Sequence, residues 1–224
     1  MIINILTLFP SMFYSFLSES IPKIALEKEK LQINLIDIRD FCNNKQRQVD
    51  DYPYGGGSGM VIKPEPLFLA LDHILKDNPQ PVIYFTPQGR LLNQSIVREY
   101  LPVDQLTILC GHYKEIDQRV REHYVTDELS VGDYVLSGGE LPAMIMTDAI
   151  ARLLDGVISD IDSALSDSHE NNLLGCPHYT RPTLFRGMAV PEVLTSGNHK
   201  LIDNWRLKQS LELTKKRRMD LLKK

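Results

Sequence analysis

Four short apolar runs, separated by amphipathic stretches, constrain the fold of this 224-residue chain more than any other feature. The runs are residues 2–9, 31–38, 82–85 and 106–110. Runs of this length that end at turn residues are typical of buried strands. Apolar residues recur at helical spacing in residues 12–20, 24–30, 65–75, 93–100, 116–124 and 140–154. The alternation predicts an α/β fold, with a mostly parallel sheet and helices on both faces.

The amino-acid composition of the chain changes after residue 152, and this change predicts the domain boundaries. Residues 153–172 contain no Lys or Arg but include five acids. We therefore expect a first domain over residues 1–154, an acidic interdomain linker over 155–172, and a small, mainly helical domain over 173–224. In the helix predicted over 140–154, Leu141, Ile145, Ala149 and Leu153 fall on one apolar face. In the helix predicted from about residue 200, Leu201, Ile202 and Trp205 fall on one side.

The charge is distributed unevenly along the chain, although the formal net charge is only -4. Residues 199–224 hold nine Lys or Arg and three Asp or Glu, a net +6, which leaves -10 on residues 1–198. A basic end on an acidic body is compatible with an anionic partner and equally with a solvated helix end.

The cysteines and the apolar content predict a cytoplasmic protein. Three cysteines stand far apart at positions 42, 110 and 176, with no metal-binding spacing, as is typical of a reducing compartment. Residues 1–9 are apolar but short and lack a basic leader, so they predict a first strand rather than a signal peptide. No apolar run approaches the length that spans a membrane, and no membrane association is expected.

Glycine-bearing loops follow several of the predicted strands. They are residues 84–90, 110–117 and 130–143, and a fourth loop over 50–60 has four glycines among five residues. Ligands of open α/β sheets bind outside the carboxyl ends of the strands, so the first three loops predict one shared pocket. Phosphate-loop and dinucleotide fingerprints are absent. A pocket rich in backbone donors and acceptors suits an adenine and a ribose better than a triphosphate.

The loop over 130–143 predicts an extended segment that turns sharply into a helix. Val131, Tyr134, Val135 and Leu136 favour extended backbone. Gly138 and Gly139 permit the turn, and Glu140 follows at the start of the helix.

These loops, read in order, carry a resemblance to a known family. The motifs are Asp-Tyr-Pro-Tyr-Gly-Gly-Gly-x-Gly-Met, Thr-Pro-Gln-Gly-Arg, Cys-Gly-x-Tyr, Gly-Asp-Tyr-Val-Leu-Ser-Gly-Gly-Glu-Leu-Pro-Ala, Cys-Pro-His-Tyr-Thr-Arg-Pro and Ser-Gly-Asn-His. Together they resemble the bacterial tRNA (guanine-N1)-methyltransferase family of the SPOUT superfamily. Members methylate the guanosine immediately 3′ of the anticodon (tRNA position 37). The resemblance covers nearly the whole chain.

The resemblance implies a deep C-terminal trefoil knot in the first domain and a homodimer whose active sites lie at the subunit interface. It also implies that S-adenosylmethionine binds in the three loops. The implied cofactor-binding residues are Tyr84, Phe85, Thr86, Pro87, Gly89, Gly111, Tyr113, Val131, Gly132, Tyr134, Leu136, Gly138 and Gly139. A divalent metal such as Mg²⁺ belongs to the implied requirements, but the sequence offers no dedicated cluster of metal ligands.

Two residues match the family's catalytic positions. Asp167 is the implied general base for the N1 proton of guanine, and Arg152 is the implied partner of the charge on O6. Taken alone, Asp167 reads as one more solvated acid and Arg152 as half of a salt bridge at a helix end. His169 beside Asp167 is a weaker candidate for the base.

The resemblance implies tRNA as the partner. The candidate tRNA-binding residues are Gly57, Gly59, Arg181, Lys200, Arg206 and Lys208. Cys176 and His178 are too few for a zinc centre.

The second glycine loop departs from the family pattern. Members usually have an acid and a glycine where this chain has Lys114 and Glu115. Three functions therefore stay open from the sequence: a tRNA methyltransferase, a catalytically weakened tRNA-binding protein of the same fold, and an enzyme acting on a small nucleotide.

Overall fold

The computed structural model describes residues 1–76, 78–158 and 167–223. The chain divides into two compact units, Met1–Ser159 and Asp160–Lys224. The division falls inside the segment that the sequence predicts to be a linker, of which residues 159–166 lie outside the described residues.

The first unit is built on a five-stranded sheet in which all neighbouring strands are parallel. The strands lie in the order β2-β1-β6-β5-β8. They are β1 (Ile2–Thr7), β2 (Gln32–Asp37), β5 (Val82–Leu91), β6 (Gln105–Leu109) and β8 (Asp127–Ser130). The prediction of a mostly parallel sheet is confirmed, and β1, β2 and β6 agree with the predicted runs to within two residues. β5 continues to Leu91, so the segment 84–90, predicted to be a loop, is part of a strand, and β8 corresponds to none of the four predicted runs.

Helices flank this sheet on both faces, and apolar residues fill the space between the sheet and the helices on each face. The helices are α1 (Tyr14–Leu17), α2 (Ser20–Glu27), α3 (Pro64–Leu75), α4 (Gln94–Glu99), α5 (Gln118–Tyr124) and α6 (Glu140–Ala151). Short 3-10 helices span Pro10–Phe13 and Ile38–Phe41. Alternate residues of β5 enter different cores: Ile83 packs with α4 and α6, and Val82 packs with α3 and α5. Alternation in a strand places these cores on opposite faces of the sheet.

A small second sheet brings the glycine-rich loop to the main body. It consists of β3 (Asp50–Asp51), β4 (Val61–Ile62) and β7 (Glu115–Ile116) in the order β3-β4-β7. β3 and β4 are antiparallel, so the glycine-rich loop between them returns on itself, and β4 pairs in parallel with β7. The loop over 50–60 is therefore tied to the loop that contains Glu115.

Two local predictions in the first unit are wrong. β8 ends at Ser130, and residues 131–134 form bends instead of extended strand. Gly132 has a φ of 148°, and the ring of Tyr134 folds back over it. In α6, Leu141 and Ile145 are about half exposed, because the helix turns Ala143, Met146 and Ile150 into the core instead.

The second unit contains a two-stranded hairpin and one long helix. The hairpin pairs β9 (Leu184–Phe185) with β10 (Met188–Ala189) in antiparallel fashion. The helices are α7 (Glu192–Thr195) and α8 (His199–Arg217), with 3-10 turns over Glu170–Asn172 and Met219–Lys223. Ile202 is buried as predicted, but Leu201 is 51% exposed.

None of the helices in the described part of the chain is long and apolar enough to cross a membrane.

Candidate cofactor pocket

One pocket lies at the ends of β6 and β8 and beside the middle of β5, and residues of the three predicted loops line it together. It contains twelve of the thirteen residues predicted to bind the cofactor. They are Tyr84, Phe85, Thr86, Pro87, Gly111, Tyr113, Val131, Gly132, Tyr134, Leu136, Gly138 and Gly139. Parallel strands bring their carboxyl ends to one edge of the sheet, and residues far apart in the sequence meet there for that reason.

Gly89 is the one predicted cofactor residue that does not line this pocket. It lies in β5, whose pairing with β8 is irregular between Phe85 and Arg90. A Cβ atom at position 89 would lie 2.5 Å from the backbone of Glu128 and Leu129. Glycine is therefore required here for the contact between two strands.

Three glycines let the loops approach one another closely. A Cβ atom on Gly111 would lie 2.7 Å from the hydroxyl oxygen of Tyr84, and one on Gly139 would lie 2.8 Å from Cα of Cys110. Gly139 also donates a backbone hydrogen bond of 2.9 Å to the carbonyl of Gly111. An isolated antiparallel bridge joins His112 to Gly138. The backbones of the second and third loops are thus hydrogen-bonded to each other and together form one side of the pocket.

The third loop closes on itself through Ser130, Gly132 and Tyr134. The hydroxyl of Ser130 lies 3.2 Å from both the N–H and the carbonyl oxygen of Gly132. Tyr134 donates from its backbone N–H to the carbonyl of Gly132 at 2.9 Å and from its hydroxyl to that of Val131 at 3.2 Å. These bonds give the loop its own shape and explain why the strand stops before Val131.

The pocket includes eight further residues that were not among the predicted cofactor-binding residues. They are His112, Lys114, Glu115, Leu129, Ser130, Val135, Ser137 and Pro142. Each of them lies in or next to one of the predicted loops, so its position in the sequence was the only indication that it would line the pocket. His112 also lines an adjoining cavity with Phe9 and Glu140. Its Nδ1 is buried and has no hydrogen-bond partner among the described residues.

Two of the residues that line the pocket, Tyr84 and Glu115, are joined by a hydrogen bond. The hydroxyl of Tyr84 donates to Oε1 of Glu115, and Oε2 of Glu115 lies 3.5 Å from Nη1 of Arg121. Burial and then the neighbouring Glu115 carboxylate raise the pKa of Tyr84, which keeps the phenol protonated as a donor. Burial, followed by the Glu140 carboxylate, likewise raises the pKa of Cys110, so this thiol stays neutral.

The glycine-rich loop lies next to the second loop at the pocket. The backbone N–H of Lys114 donates to the carbonyl of Met60 at 3.0 Å, and Nζ of Lys114 lies 3.5 Å from the carbonyl oxygen of Ser58. A Cβ atom on Gly59 would be 3.5 Å from Lys114, whereas one on Gly57 would meet nothing within 4 Å. Neither glycine lines the pocket, and their assignment to tRNA remains a prediction.

The two candidate catalytic residues belong to different units. Arg152 is exposed and stands at the C-cap of α6. Burial raises the pKa of the neighbouring Asp148, and Arg152 partly offsets this increase. Asp167 is exposed in the second unit, directly before Ser168 and His169. Both roles remain predictions.

Hydrogen bonds anchor the segment that follows Asp167. The hydroxyl of Ser168 accepts from the N–H of Gly175 at 2.9 Å, and His169 donates to the carbonyl of Leu173 at 2.7 Å. Leu174 then donates to the hydroxyl of Thr214 on α8 at 2.9 Å. Asp167 is therefore held at the start of a closed turn attached to the long helix.

The predicted tRNA-binding cations of the second unit are exposed. Lys200, Arg206 and Lys208 lie on α8, and Arg181 precedes the hairpin. Arg206 pairs with Asp203 at 3.3 Å and Lys208 with Glu212 at 4.0 Å, both within the helix. Exposed pairs of this kind are weak, so the cations stay available to phosphates.

A metal site is not apparent in the part of the chain that the structure describes. No group of three or more His, Cys, Asp or Glu side chains there is arranged to hold an ion. The implied Mg²⁺ therefore has no ligand set among these residues.

The residues of the pocket fit S-adenosylmethionine. Backbone groups of Gly111, Gly138 and Gly139 are bare of side chains, as the close approach of a purine and a ribose requires. The apolar Phe85 and Leu136 line the same pocket and would supply apolar surface for the flat ring.

The fold and the pocket define an α/β protein with a pocket beside the carboxyl ends of its parallel strands. Comparison with known proteins then identifies the family. The family model described as tRNA (Guanine-1)-methyltransferase TrmD matches residues 1–224. The chain therefore belongs to this family.

Individual relatives agree along almost the entire chain. A tRNA (guanine-N(1)-)-methyltransferase of Dehalococcoides mccartyi is 54% identical over 224 residues, covering 99% of this chain and 90% of the relative. A protein of the same name from Clostridioides difficile is 51% identical over 225 residues, covering 99% and 97%. One from Fusobacterium nucleatum is 54% identical over 220 residues, covering 98% and 90%.

Proposed function

We propose that this chain transfers the methyl group of S-adenosylmethionine to N1 of the guanosine 3′ of the anticodon in tRNA. The observation that carries the proposal is the convergence of twelve predicted cofactor residues on one pocket in a chain of this family. When bound, S-adenosylmethionine supplies a methyl group on a positively charged sulfur, which becomes a neutral thioether once the methyl group has moved to N1.

The chain's own residues have to prepare guanine for this reaction. N1 carries a proton and is a poor nucleophile until the proton leaves. In the proposal, the carboxylate of Asp167 takes that proton, and the guanidinium of Arg152 donates hydrogen bonds to O6, where the charge accumulates. Ser168 and His169, through the turn that they close, hold Asp167 in place.

The remaining parts of the proposal concern assembly and RNA binding. We propose a cytoplasmic homodimer with a deep trefoil knot in residues 1–154 and active sites at the subunit interface. The contact of Gly139 with Cys110 and Gly111 supports a tight crossing of the second and third loops. The basic α8, in a small and mainly helical domain, would bind tRNA phosphates.

Methyl transfer from labelled S-adenosylmethionine to two tRNA transcripts tests the proposal. The transcripts differ only in having guanosine or adenosine immediately 3′ of the anticodon. Incorporation into the guanosine transcript alone, mapped to N1, is the expected result. No incorporation into either transcript, with cofactor binding retained, would instead identify a weakened tRNA-binding protein. Turnover of a small nucleotide without RNA would identify the third function.

A further inference from the structure

Glu115 occupies an unusual place in the pocket, because its carboxylate joins side chains from several elements. Oε1 accepts from the hydroxyl of Tyr84 on β5, and Oε2 lies 3.5 Å from Nη1 of Arg121 on α5. Glu115 itself begins β7, within the second loop of the pocket. A single side chain therefore connects β5, the second loop and α5.

Arg121 continues this connection beyond the pocket. Its side chain is 9% exposed, and its guanidinium donates to both carboxylate oxygens of Glu128, at 2.9 Å and 2.8 Å. It also donates to Oε1 of Gln88 at 2.9 Å and lies 5.6 Å from the centre of the Tyr84 ring. Arg121 thus keeps two other partners, Glu128 and Gln88, if Glu115 is removed.

Among the described residues, Glu115 is the acceptor for the Tyr84 hydroxyl, and the backbone N–H of Ile116 hydrogen-bonds to the same phenol oxygen without replacing that acceptor. The side chain of Tyr84 is buried, and its hydroxyl oxygen occupies the space next to Gly111 in which a Cβ atom would lie 2.7 Å away. Glu115 is the acceptor that holds the hydroxyl in this place. Loss of that acceptor leaves a buried donor unsatisfied, and the ring and the backbone of Gly111 would have to rearrange.

We propose that Glu115 is a positioning residue that fixes Tyr84, and through it the backbone of the second loop, in the shape that binds the cofactor. Glu115 acts through the hydrogen bond that it accepts, and its negative charge is not the required property. The inference rests on the proposed function, because it gives Glu115 a part in binding S-adenosylmethionine.

Four variants separate the hydrogen bond from the charge. Glu115→Ala removes both, Glu115→Gln removes the charge but keeps an acceptor, and Tyr84→Phe removes the donor. Glu128→Gln weakens the other ion pair of Arg121 and is the matched control, because Glu128 does not line the pocket. A cooperative unfolding transition verifies that each variant folds.

The first measurement is the Kd of S-adenosylmethionine by titration calorimetry. We expect binding about tenfold weaker in Glu115→Ala and in Tyr84→Phe, as for the loss of one hydrogen bond to a charged group. Glu115→Gln and Glu128→Gln should bind like the wild type. The double variant Glu115→Ala with Tyr84→Phe should be no weaker than either single variant, because both remove one bond.

The second measurement needs no cofactor and is therefore independent of the proposed function. Amide hydrogen exchange in the unliganded protein reports on the N–H groups of Lys114 and Gly139, which bond to Met60 and Gly111. Exchange should be faster in Glu115→Ala and Tyr84→Phe and unchanged in Glu115→Gln. A wild-type protein that fails to bind S-adenosylmethionine would overturn the proposed function while leaving this result to decide the role of Glu115.

Two results would overturn the inference. Binding as weak in Glu115→Gln as in Glu115→Ala, with Tyr84→Phe unaffected, would assign the effect to direct recognition by charge. Unchanged binding and exchange in all the variants would leave Glu115 without a role in the pocket.

Discussion

The hydroxyl of Thr7 donates a hydrogen bond of 2.7 Å to Oε1 of Glu140 across 133 residues of sequence. Thr7 is the last residue of β1, Glu140 is the first residue of α6, and both are buried. The Thr7 oxygen also accepts from the N–H of Phe9 at 2.9 Å. Because Gly138 and Gly139 come directly before Glu140, this bond fixes the end of the third loop of the pocket.

Replacing Thr7 by valine should therefore destabilise the first unit. Thr7→Val preserves the shape but removes the donor from a buried carboxylate, which costs about 2 kcal/mol of unfolding free energy. Thr147→Val is the matched control, since that buried hydroxyl only donates to Ala143 within α6. Urea unfolding of both variants measures the difference. Equal losses of unfolding free energy in the two variants would mean that the bond to Glu140 stabilises the protein no more than an ordinary hydrogen bond within a helix does.

Gly139→Ala should disrupt the pocket without unfolding the protein. The new Cβ would lie 2.8 Å from Cα of Cys110. Because Cα is a backbone atom, it cannot move away by a change of rotamer as a side-chain atom can. Overpacking by one methyl group costs about 1–3 kcal/mol, so we expect the Kd of S-adenosylmethionine to rise tenfold to about a hundredfold.

The control for Gly139→Ala is Asp133→Ala. Asp133 is exposed in the same loop and does not line the pocket, so its replacement should leave the Kd unchanged. Titration calorimetry measures both variants. Wild-type affinity in Gly139→Ala would contradict the close crossing of the loops.

Asp167→Asn should abolish methyl transfer and leave cofactor binding nearly intact. The amide keeps the size and polarity of the side chain but cannot take the N1 proton. We expect a rate lower by at least about a hundredfold, the smaller effect typical of losing a general base. Asp155→Asn, at another exposed acid of the predicted linker, is the control and should transfer normally. Near-normal transfer by Asp167→Asn would remove Asp167 from the mechanism.

The sequence predicts the central strands well because β1 and β6 are almost entirely buried, whereas β2, at the edge of the sheet, is only partly buried. The parallel strands β1, β2 and β6 are apolar runs, and their bounds agree with the prediction to within two residues. The pocket was predictable in outline for a related reason, since loops at strand ends converge wherever the strands are parallel.

Local chemistry accounts for what the sequence did not predict. The propensity of Val131 to Leu136 favours a strand, but the Ser130 hydroxyl and the left-handed Gly132 end it first. The apolar pattern of α6 marks two faces, and pattern alone could not tell which one meets the sheet. The contact of Glu115 with Tyr84 joins residues 31 positions apart and depends on side-chain geometry that no spacing encodes.

Tyr124 predicts how stability changes at alkaline pH. Its ring packs edge-on against Phe68 at 4.9 Å, and its hydroxyl donates to Asp72. Burial, followed by the hydrogen bond to Asp72, raises the pKa of Tyr124 to about 12. An unfolded tyrosine has a pKa of about 10, so the folded state holds this proton more tightly than the unfolded state does.

The contribution of Tyr124 is therefore complete below about pH 10 and is lost as the pH rises through about 12. In this window the unfolded state releases the proton first, so the unfolding free energy declines as the pH rises. Tyr124→Phe should be less stable at neutral pH, by about 1 kcal/mol for the lost hydrogen bond, and should decline less steeply above pH 10. Urea unfolding at a series of pH values measures both curves, and all other tyrosines contribute equally to each. Parallel curves across the window would contradict a raised pKa for Tyr124, whereas converging curves are the result that its contact with Asp72 requires.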